Sequence, residues 1–307
     1  KERTRKRIII WFWILFALPI VGVTVLVISV VKFAQIPSFE ELEHPNNNLA
    51  TRLISSDGVV ISTFHIENRT YVSYEDISPN VIHAAVATED ARFYNHSGVD
   101  FQSLGRVLFK TLLMRDSSQG GGSTITQQLA KTLYPREEVL TGFPGAKYVS
   151  MVWIKMKEWV TAVKLERNYT KEEIVAMYLN SIFYGSGAYG IKAASETFFG
   201  KEPCELNIQE AALLVGAVNK PTRYNAALHP EAAKTRRDFV ISQMAKAGYI
   251  SESDKVLAQN SPIELNYNVQ DHNSGLAPYF RDMIRKEMSA SKPKRSQYLY
   301  EDEYVAD

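Results

Sequence analysis

The sequence has only one cysteine, Cys204, and almost no net charge. A single cysteine excludes an internal disulfide and a cysteine-based zinc site. The formal charge of +1 over 307 residues gives no support for nucleic-acid binding, and we find no internal repeat. Apolar residues make up 45% of the chain, which is typical of a folded protein, and the length allows one large or two ordinary domains plus an anchor.

The N-terminus joins a basic tail to a long uncharged segment. Residues 1–7 carry a net charge of +4, and residues 8–31 contain no charged side chain. As a helix, that segment would be ~36 Å long at ~1.5 Å per residue, which exceeds the ~30 Å core of a bilayer. A signal peptide would have a shorter apolar region, of ~7–15 residues, and a small-residue cleavage site. We therefore predict one transmembrane helix at 8–31, with the 1–7 tail in the cytoplasm and the rest of the chain outside.

The segment after this span contains turn-forming residues and then β-prone runs. Residues 32–50 include two prolines and three consecutive asparagines, which predicts a stalk. Two β-prone runs flank Asp57-Gly58 and predict a hairpin, and a further extended run is expected near 70–74.

From Ser78 onward the periodicity is helical. Ser78 followed by proline predicts a helix start, and we expect that helix to reach about Tyr94. Gly248 is a candidate C-cap for a helix that begins near Pro230. Further helix starts are predicted by capping boxes at Thr124/Gln127, Thr170/Glu173, Asn207/Glu210 and Ser251/Asp254. The sequence thus predicts a mostly α domain over 51–265, followed by a linker fragment at 266–307.

The first polar constellation follows a run of apolar residues at 81–87. On a continuous helix Glu89, Phe93 and His96 would stand at i, i+4 and i+7 and share one face. A carboxylate at the end of a buried helix can have a raised pKa and act as a general acid or base. A solvated helix end with an ordinary ion pair is the alternative.

The second constellation begins with three glycines at 120–122. Glycines that lead into a helix present free backbone N–H groups, which suit an anion. Thr124, Gln128 and Lys131 fall at i, i+4 and i+7, so one face could offer a hydroxyl, an amide and an ammonium group. The Gly-Lys-Ser/Thr order of a P-loop is absent. A flexible loop with a capping box is the alternative.

Two further groups carry weaker signals. Lys155 and Glu158 stand at i, i+3 on a long helix predicted over about 148–166, where an intrahelical salt bridge is the default explanation. Residues 178–190, which include Asn180 and Tyr184, connect two helices through a glycine- and tyrosine-rich loop. Such a loop suits carbohydrate contacts, and it equally suits a tight helix–helix corner.

The order of these motifs resembles one family. Glu-Asp-x-x-Phe-x-x-His-x-Gly at 89–98, Gly-Gly-Ser-x-Ile-Thr-Gln-Gln-Leu-x-Lys at 121–131, Lys-x-x-Glu at 155–158 and Tyr-Leu-Asn-x-x-x-Tyr-Gly-x-Gly at 178–187 are similar to the motif series of family 51 glycosyltransferases. These are the peptidoglycan polymerases of class A penicillin-binding proteins and of monofunctional versions. The segments 210–214 and 224–237 are similar to the last motif of the family. The resemblance covers about 77–244.

The resemblance implies a mainly α, lysozyme-like glycosyltransferase domain with a small N-terminal β element, preceded by one transmembrane helix. It implies that Glu89 deprotonates the 4-hydroxyl of the acceptor, lipid II. That oxygen attacks a donor held on undecaprenyl pyrophosphate, with inversion and formation of a β-1,4 bond. Lys131 and Lys155 match phosphate-facing lysines, and Glu158 matches a second catalytic glutamate. The remaining substrate-binding positions, assigned from the motifs, are Asp90, Phe93, His96, Ser123, Thr124, Gln127, Gln128, Asn180 and Tyr184.

The expected partners are lipid II, the nascent glycan strand, the membrane and a cell-wall synthesis complex, without nucleic acid. No cofactor is required, although Mg or Mn can act at the pyrophosphate in some members; no acidic cluster allows metal ligands to be assigned. One position departs from the family: the third motif usually begins Arg-Lys, whereas this chain has Ile154 before Lys155. The loss of an arginine removes a bidentate phosphate contact.

A transpeptidase is not expected from this sequence. Ser289 and Lys292 fit a Ser-x-x-Lys pattern, but no Lys-Thr-Gly or Lys-Ser-Gly motif accompanies them. The stretch 274–281 resembles the linker that leads to a transpeptidase domain, so we expect the chain to be the N-terminal portion of a bifunctional enzyme. Two rivals stay open, a lytic transglycosylase of the lysozyme-like fold and an inactive membrane-tethered interaction module.

Overall fold

The computed structural model describes residues 2–33, 51–55, 60–64, 71–106, 122–133, 146–268, 283 and 304–306. The described part of the chain is mainly helical, as the sequence predicts. After the N-terminal helix α1 (Glu2–Phe33), the helices are α2 (Pro79–Glu89), α3 (Ile125–Leu133), α4 (Ala146–Asn168), α5 (Lys171–Ser181), α6 (Ile191–Phe199), α7 (Ile208–Val218), α8 (Pro230–Lys246) and α9 (Glu252–Asn260). The strands are β1 (Thr51–Ser55), β2 (Val60–Phe64), β3 (Phe183–Gly185), β4 (Ala188–Tyr189) and β5 (Tyr304–Ala306).

Helix α1 contains the whole of the segment 8–31 and confirms its helical conformation. Of the helices that the structure describes, none has the length and apolar content that a membrane crossing requires, so the predicted span is not confirmed. Most of the predicted stalk, from residue 34 onward, lies outside the described residues.

The predicted hairpin is present. Strands β1 and β2 are antiparallel, with Thr51 opposite Phe64 and Leu53 opposite Ser62. The predicted turn residues, Asp57 and Gly58, lie outside the described residues. A third strand, β5, runs parallel to β1 on its other side. The sequence did not predict this strand, because it lies in a polar tail without β periodicity.

The further extended run expected near 70–74 is present only in part: Ser73 is extended, with φ −67° and ψ 161°, but among the described residues the run pairs with no strand and ends at Tyr74. Tyr74–Asp76 form one turn of 3-10 helix. The reason is that the backbone of Val72 has a side-chain partner instead of a strand. Its N–H donates to Asn180 Oδ1 at 3.0 Å, and its carbonyl accepts from Asn180 Nδ2 at 2.8 Å.

The core is centred on α7, which packs between α2 and α8. Its residues 211–217 are all buried, as expected for a helix that is apolar all round. A second group of helices joins α3 to both α4 and α5. These two groups bring the end of α2 and the start of α3 together, and this junction holds the polar residues of the first two motifs.

Most of the predicted helix ends are confirmed. Ser78 accepts a hydrogen bond from the Asn80 N–H at the start of α2, and Gly248 follows α8 with φ +80°. Reciprocal capping boxes form at Thr170/Glu173, Asn207/Glu210 and Ser251/Asp254. At Thr124/Gln127 only the donation from the Gln127 backbone to the Thr124 hydroxyl is present, because the Gln127 side chain bonds elsewhere.

Candidate active site

Helix α2 ends at Glu89 and does not continue to Tyr94, so the predicted length of this helix is wrong. Asp90 leaves the helical conformation, with φ −155° and ψ 73°, and a separate 3-10 turn starts at Phe93. Glu89, Phe93 and His96 therefore do not share one helical face. The physical reason is the Asp90 side chain, whose partners lie away from the helix.

Asp90 is a buried carboxylate that joins three segments. One oxygen accepts the Ile125 N–H at 3.1 Å, which is an unsatisfied donor at the start of α3. His96 Nε2 lies 3.0 and 3.1 Å from the two oxygens, and both side chains are almost fully buried. Asp90 thus fixes the end of α2, the start of α3 and the loop at His96 relative to one another.

Glu89 is half-buried, and a hydrogen bond from α3 holds its carboxylate. Gln128 Nε2 donates to Glu89 Oε2 at 2.9 Å, and the Tyr178 hydroxyl donates to Gln128 Oε1 at 3.2 Å. Burial, and next the neighbouring Glu89 carboxylate, raise the pKa of Tyr178 well above its ordinary value, so the phenol stays protonated. Among the described residues, Glu89 Oε1 accepts no hydrogen bond. This oxygen is therefore available to a proton from a ligand.

Thr124 and Gln127 are buried and hold the loop that ends at Gly98. The Thr124 hydroxyl donates to the Gly98 carbonyl at 2.7 Å, and Gln127 Nε2 donates to it at 3.3 Å. Helix α3 begins after Thr124, and Lys131 at the far end of the motif is exposed. The predicted common face of Thr124, Gln128 and Lys131 is therefore divided between the interior and the surface.

Lys155 and Glu158 form the predicted intrahelical salt bridge, with Nζ 2.6 Å from Oε2. The Lys155 side chain is 43% exposed, whereas that of Glu158 is 6% exposed. Lys155 also donates to the Ser123 hydroxyl at 3.2 Å, so it ties α4 to the segment before α3. Lys131, by contrast, has no ion pair within the described part of the chain. Two cations are thus accessible near the start and end of α3.

Asn180 and Tyr184 are buried, and their polar groups are used inside the protein. Beyond its two bonds to Val72, the Asn180 amide donates to the Ala176 carbonyl, and the Tyr184 hydroxyl donates to the Leu179 carbonyl. Here the 178–190 segment forms a tight corner with the short sheet β3–β4. Direct contact of Asn180 or Tyr184 with a substrate stays a prediction.

The ion pair of Lys171 and Glu166, which the sequence analysis missed, contacts Phe93 and His96. Lys171 and Glu166 lie 2.7 Å apart, and the Glu166 side chain also accepts from the Thr126 hydroxyl at 2.6 Å. Lys171 donates to the His96 carbonyl at 2.8 Å and lies 4.2 Å from the centre of the buried Phe93 ring. No pattern indicated this pair, because its partners are five residues apart on two different helices.

Within the described residues, no group of three or more His, Cys, Asp or Glu side chains could hold a metal ion. The Mg or Mn expected in some members therefore finds no ligand set there. We derive no step through a metal.

The comparisons with known proteins agree with the motifs. The family model described as transglycosylase matches residues 57–245, and the chain belongs to this family. It is 35% identical to penicillin-binding protein 1F of Bacillus subtilis (strain 168) over 78% of this chain and 32% of that protein. It is 37% identical to penicillin-binding protein 1A of Aquifex aeolicus (strain VF5) over 86% of this chain and 34% of that protein. The chain thus spans about one third of the length of these relatives.

A crystal structure of penicillin-binding protein 1A from Haemophilus influenzae aligns over 81% of this chain and 25% of that chain. The TM-score is 0.45 and the identity 22%, values too low to support an argument. The family match alone confirms the resemblance to family 51 and the class of enzyme, a peptidoglycan glycosyltransferase.

Proposed function

We propose that this domain polymerises lipid II into β-1,4-linked glycan strands, with Glu89 as the catalytic base. The observation that carries this proposal is the Glu89 carboxylate. It lies half-buried at the end of α2, one oxygen accepts from Gln128, and within the described residues the other oxygen accepts no hydrogen bond. A base needs this combination of a fixed orientation and an open lone pair.

The chemistry that follows is an inverting substitution. Glu89 accepts the proton of the acceptor 4-hydroxyl, and the hydroxyl oxygen bonds to the anomeric carbon of the donor as the bond from that carbon to the pyrophosphate oxygen breaks. Undecaprenyl pyrophosphate leaves with the bonding electrons. Lys131 and Lys155 stabilise the charge that develops on the leaving phosphate. Glu158 positions Lys155 through their 2.6 Å ion pair.

Incubation of the protein with lipid II tests this proposal against its nearest rival. We expect glycan chains of increasing length on a gel and release of undecaprenyl pyrophosphate. A lytic transglycosylase would instead release fragments from intact sacculi and build no chains. An inactive interaction module would do neither, so both rivals have a distinct outcome. Repeating the incubation with a chelator tests whether Mg or Mn contributes.

Replacing Lys131 with methionine is expected to lower kcat/KM for lipid II by about 10- to 100-fold, the size of a lost charge-assisted contact to phosphate. Methionine matches the unbranched stem of the lysine side chain but lacks the terminal ammonium group and its charge. The change should cost little stability, because Lys131 is exposed and has no ion pair among the described residues. Lys246→Met, at an exposed lysine in the last turn of α8, is the control and should retain full activity. Equal activity of both variants would contradict the role of Lys131.

We also propose that the apolar segment 8–31 of α1 anchors the domain to a membrane, with the basic tail inside and the catalytic domain outside, although none of the described helices meets the requirements of a crossing. Large apolar side chains of this helix are exposed, including Trp11 at 68% and Leu15 at 77%. Apolar side chains on this scale are unstable in water and indicate a lipid or protein partner. Alkaline carbonate extraction of the full chain from membranes provides the test. We expect the chain to stay in the pellet, and its recovery in the supernatant would contradict the proposal.

A further inference from the structure

The Gln128 side chain is held at both ends of its amide. Its nitrogen donates to Glu89 at 2.9 Å, and its oxygen accepts from Tyr178 at 3.2 Å. The Tyr178 side chain on α5 is fully buried, so its phenol is not available to a bound ligand. Its hydroxyl nevertheless lies one side chain away from the carboxylate of the base.

The two ends of an amide are not interchangeable in this position. An ionised carboxylate can only accept hydrogen bonds, so Glu89 requires the nitrogen of Gln128. If the amide turned over, its oxygen would face the carboxylate and repel it. While Glu89 is ionised, the Tyr178 hydroxyl donates to the amide oxygen on the opposite side and so stabilises the orientation in which the nitrogen faces the carboxylate.

We propose that Tyr178 is a positioning residue for the base: by donating to the Gln128 oxygen it holds the amide with its nitrogen directed at Glu89, and so keeps that carboxylate aligned. This inference rests on the proposed role of Glu89. It gives Gln128 a role in preparing the base, in addition to the substrate contact that the resemblance implies. Hydrogen bonds to the charged form of an acid favour that form.

The same three groups also fit the protonated base. Once Glu89 has taken the proton of the acceptor, its hydroxyl can donate to Gln128 Oε1 if the amide turns over. The amide nitrogen then donates to Tyr178, because a phenol can accept as well as donate. A tyrosine can therefore form a hydrogen bond with Gln128 both when Glu89 is ionised and when it is protonated, whereas a phenylalanine can form one in neither state.

The pH dependence of kcat/KM for lipid II polymerisation tests the inference. Among the described residues, the titratable groups linked to the base are its neighbour Asp90, which pairs with His96, and Tyr178, which reaches it through the Gln128 amide. Because a hydrogen bond to the charged form of an acid favours that form, loss of the N–H donor is expected to move the acid limb of the profile to higher pH. We expect a shift of about one pH unit in Gln128→Met and about half a unit in Tyr178→Phe. On the acid limb, a half-unit shift lowers the kcat/KM of Tyr178→Phe by about 3-fold at a given pH, and this loss should disappear on the plateau at higher pH.

The double variant separates positioning from a general loss of stability. If Tyr178 acts through Gln128, the acid limb of Tyr178→Phe/Gln128→Met should match that of Gln128→Met alone. Tyr249→Phe is the matched control. It removes a hydroxyl from a ring that stacks on His83 of α2, at 4.3 Å, without touching the amide. Its acid limb should stay at the wild-type position.

Each outcome decides one of the two claims. If the wild-type protein builds no chains from lipid II, the proposed function fails and the inference falls with it. If the wild-type protein is active and the acid limb of Tyr178→Phe does not move, the inference alone is overturned. If Tyr178→Phe does not fold, the acid limb of Gln128→Met provides the test. A limb at the wild-type position in that variant would show that the amide does not prepare the base, and would overturn the inference.

Discussion

Replacing Glu89 with glutamine is expected to lower the rate of lipid II polymerisation by about 10²- to 10⁴-fold, the contribution typical of a general base. The amide has nearly the same size and shape, but it cannot take a proton at neutral pH. Gln128 can still bond to it by donating to its carbonyl oxygen, as it does to Glu89 Oε2. The fold should therefore be retained, and the midpoint of thermal unfolding should change little. Gel analysis of product chains gives the rate.

The control for this experiment is Glu252→Gln, at an exposed glutamate in the first turn of α9. This substitution makes the same chemical change outside the candidate active site, and the variant should polymerise lipid II at the wild-type rate. Equal activity of Glu89→Gln and Glu252→Gln would remove Glu89 from the mechanism. A Glu89→Gln variant that unfolds would be recognised from its thermal transition.

Replacing Gly98 with alanine is expected to cost about 2–5 kcal/mol in the free energy of unfolding. Gly98 has φ +88°, a conformation that costs an L-residue about 1–2 kcal/mol. A Cβ there would lie 2.8 Å from the Ala162 carbonyl carbon in α4, and such overpacking adds about 1–3 kcal/mol. Activity should fall as well, because the Gly98 carbonyl accepts the hydrogen bonds of Thr124 and Gln127. Urea denaturation gives the change in stability.

Gly248→Ala separates the two contributions to this loss. Gly248 has a similar φ, +80°, but nothing lies within 4 Å of a Cβ built on it. This variant should therefore lose only the conformational part, about 1–2 kcal/mol, and should keep its activity. If both variants lost the same free energy, close packing of Gly98 against α4 would not be the cause.

Local patterns predicted much of this molecule correctly. The Ser78 cap, the boxes at Thr170 and Ser251 and the Lys155–Glu158 salt bridge depend on groups within four residues of each other. Their spacing alone is enough to bring them into contact. The hairpin of β1 and β2 followed from its flanking β-prone runs in the same way. These local predictions hold except at Thr124/Gln127, where the Gln127 side chain bonds to the Gly98 carbonyl instead of closing the capping box.

The predictions were wrong where a distant partner competed with the local pattern. The helix expected to reach Tyr94 ends five residues earlier, and Asp90 bonds to Ile125, 35 positions away. The extended run expected near residue 72 bonds to the Asn180 side chain, 108 positions away, and gives way to a 3-10 turn at Tyr74. Periodicity carries no information about such contacts.

The same limit applies to the candidate site. The motifs marked Glu89, Gln128 and Lys155, but the sequence could not show that Gln128 bonds to Glu89. Residues outside the predicted set, such as Lys171 and Glu166, form contacts that only the three-dimensional arrangement reveals. The residue types indicate the chemistry of the site, whereas the hydrogen-bond partners of those residues depend on the fold.

The adjacent carboxylates at the end of α2 both bond to the same helix. Asp90 accepts from Ile125 and Glu89 accepts from Gln128, and these two donors are three residues, or nearly one turn, apart on α3. A two-point attachment of this kind resists both sliding and rotation of α3, since either movement breaks the two bonds together. Opening of this junction would expose the Ile125 N–H, so the exchange of its amide proton with solvent is expected to report that opening.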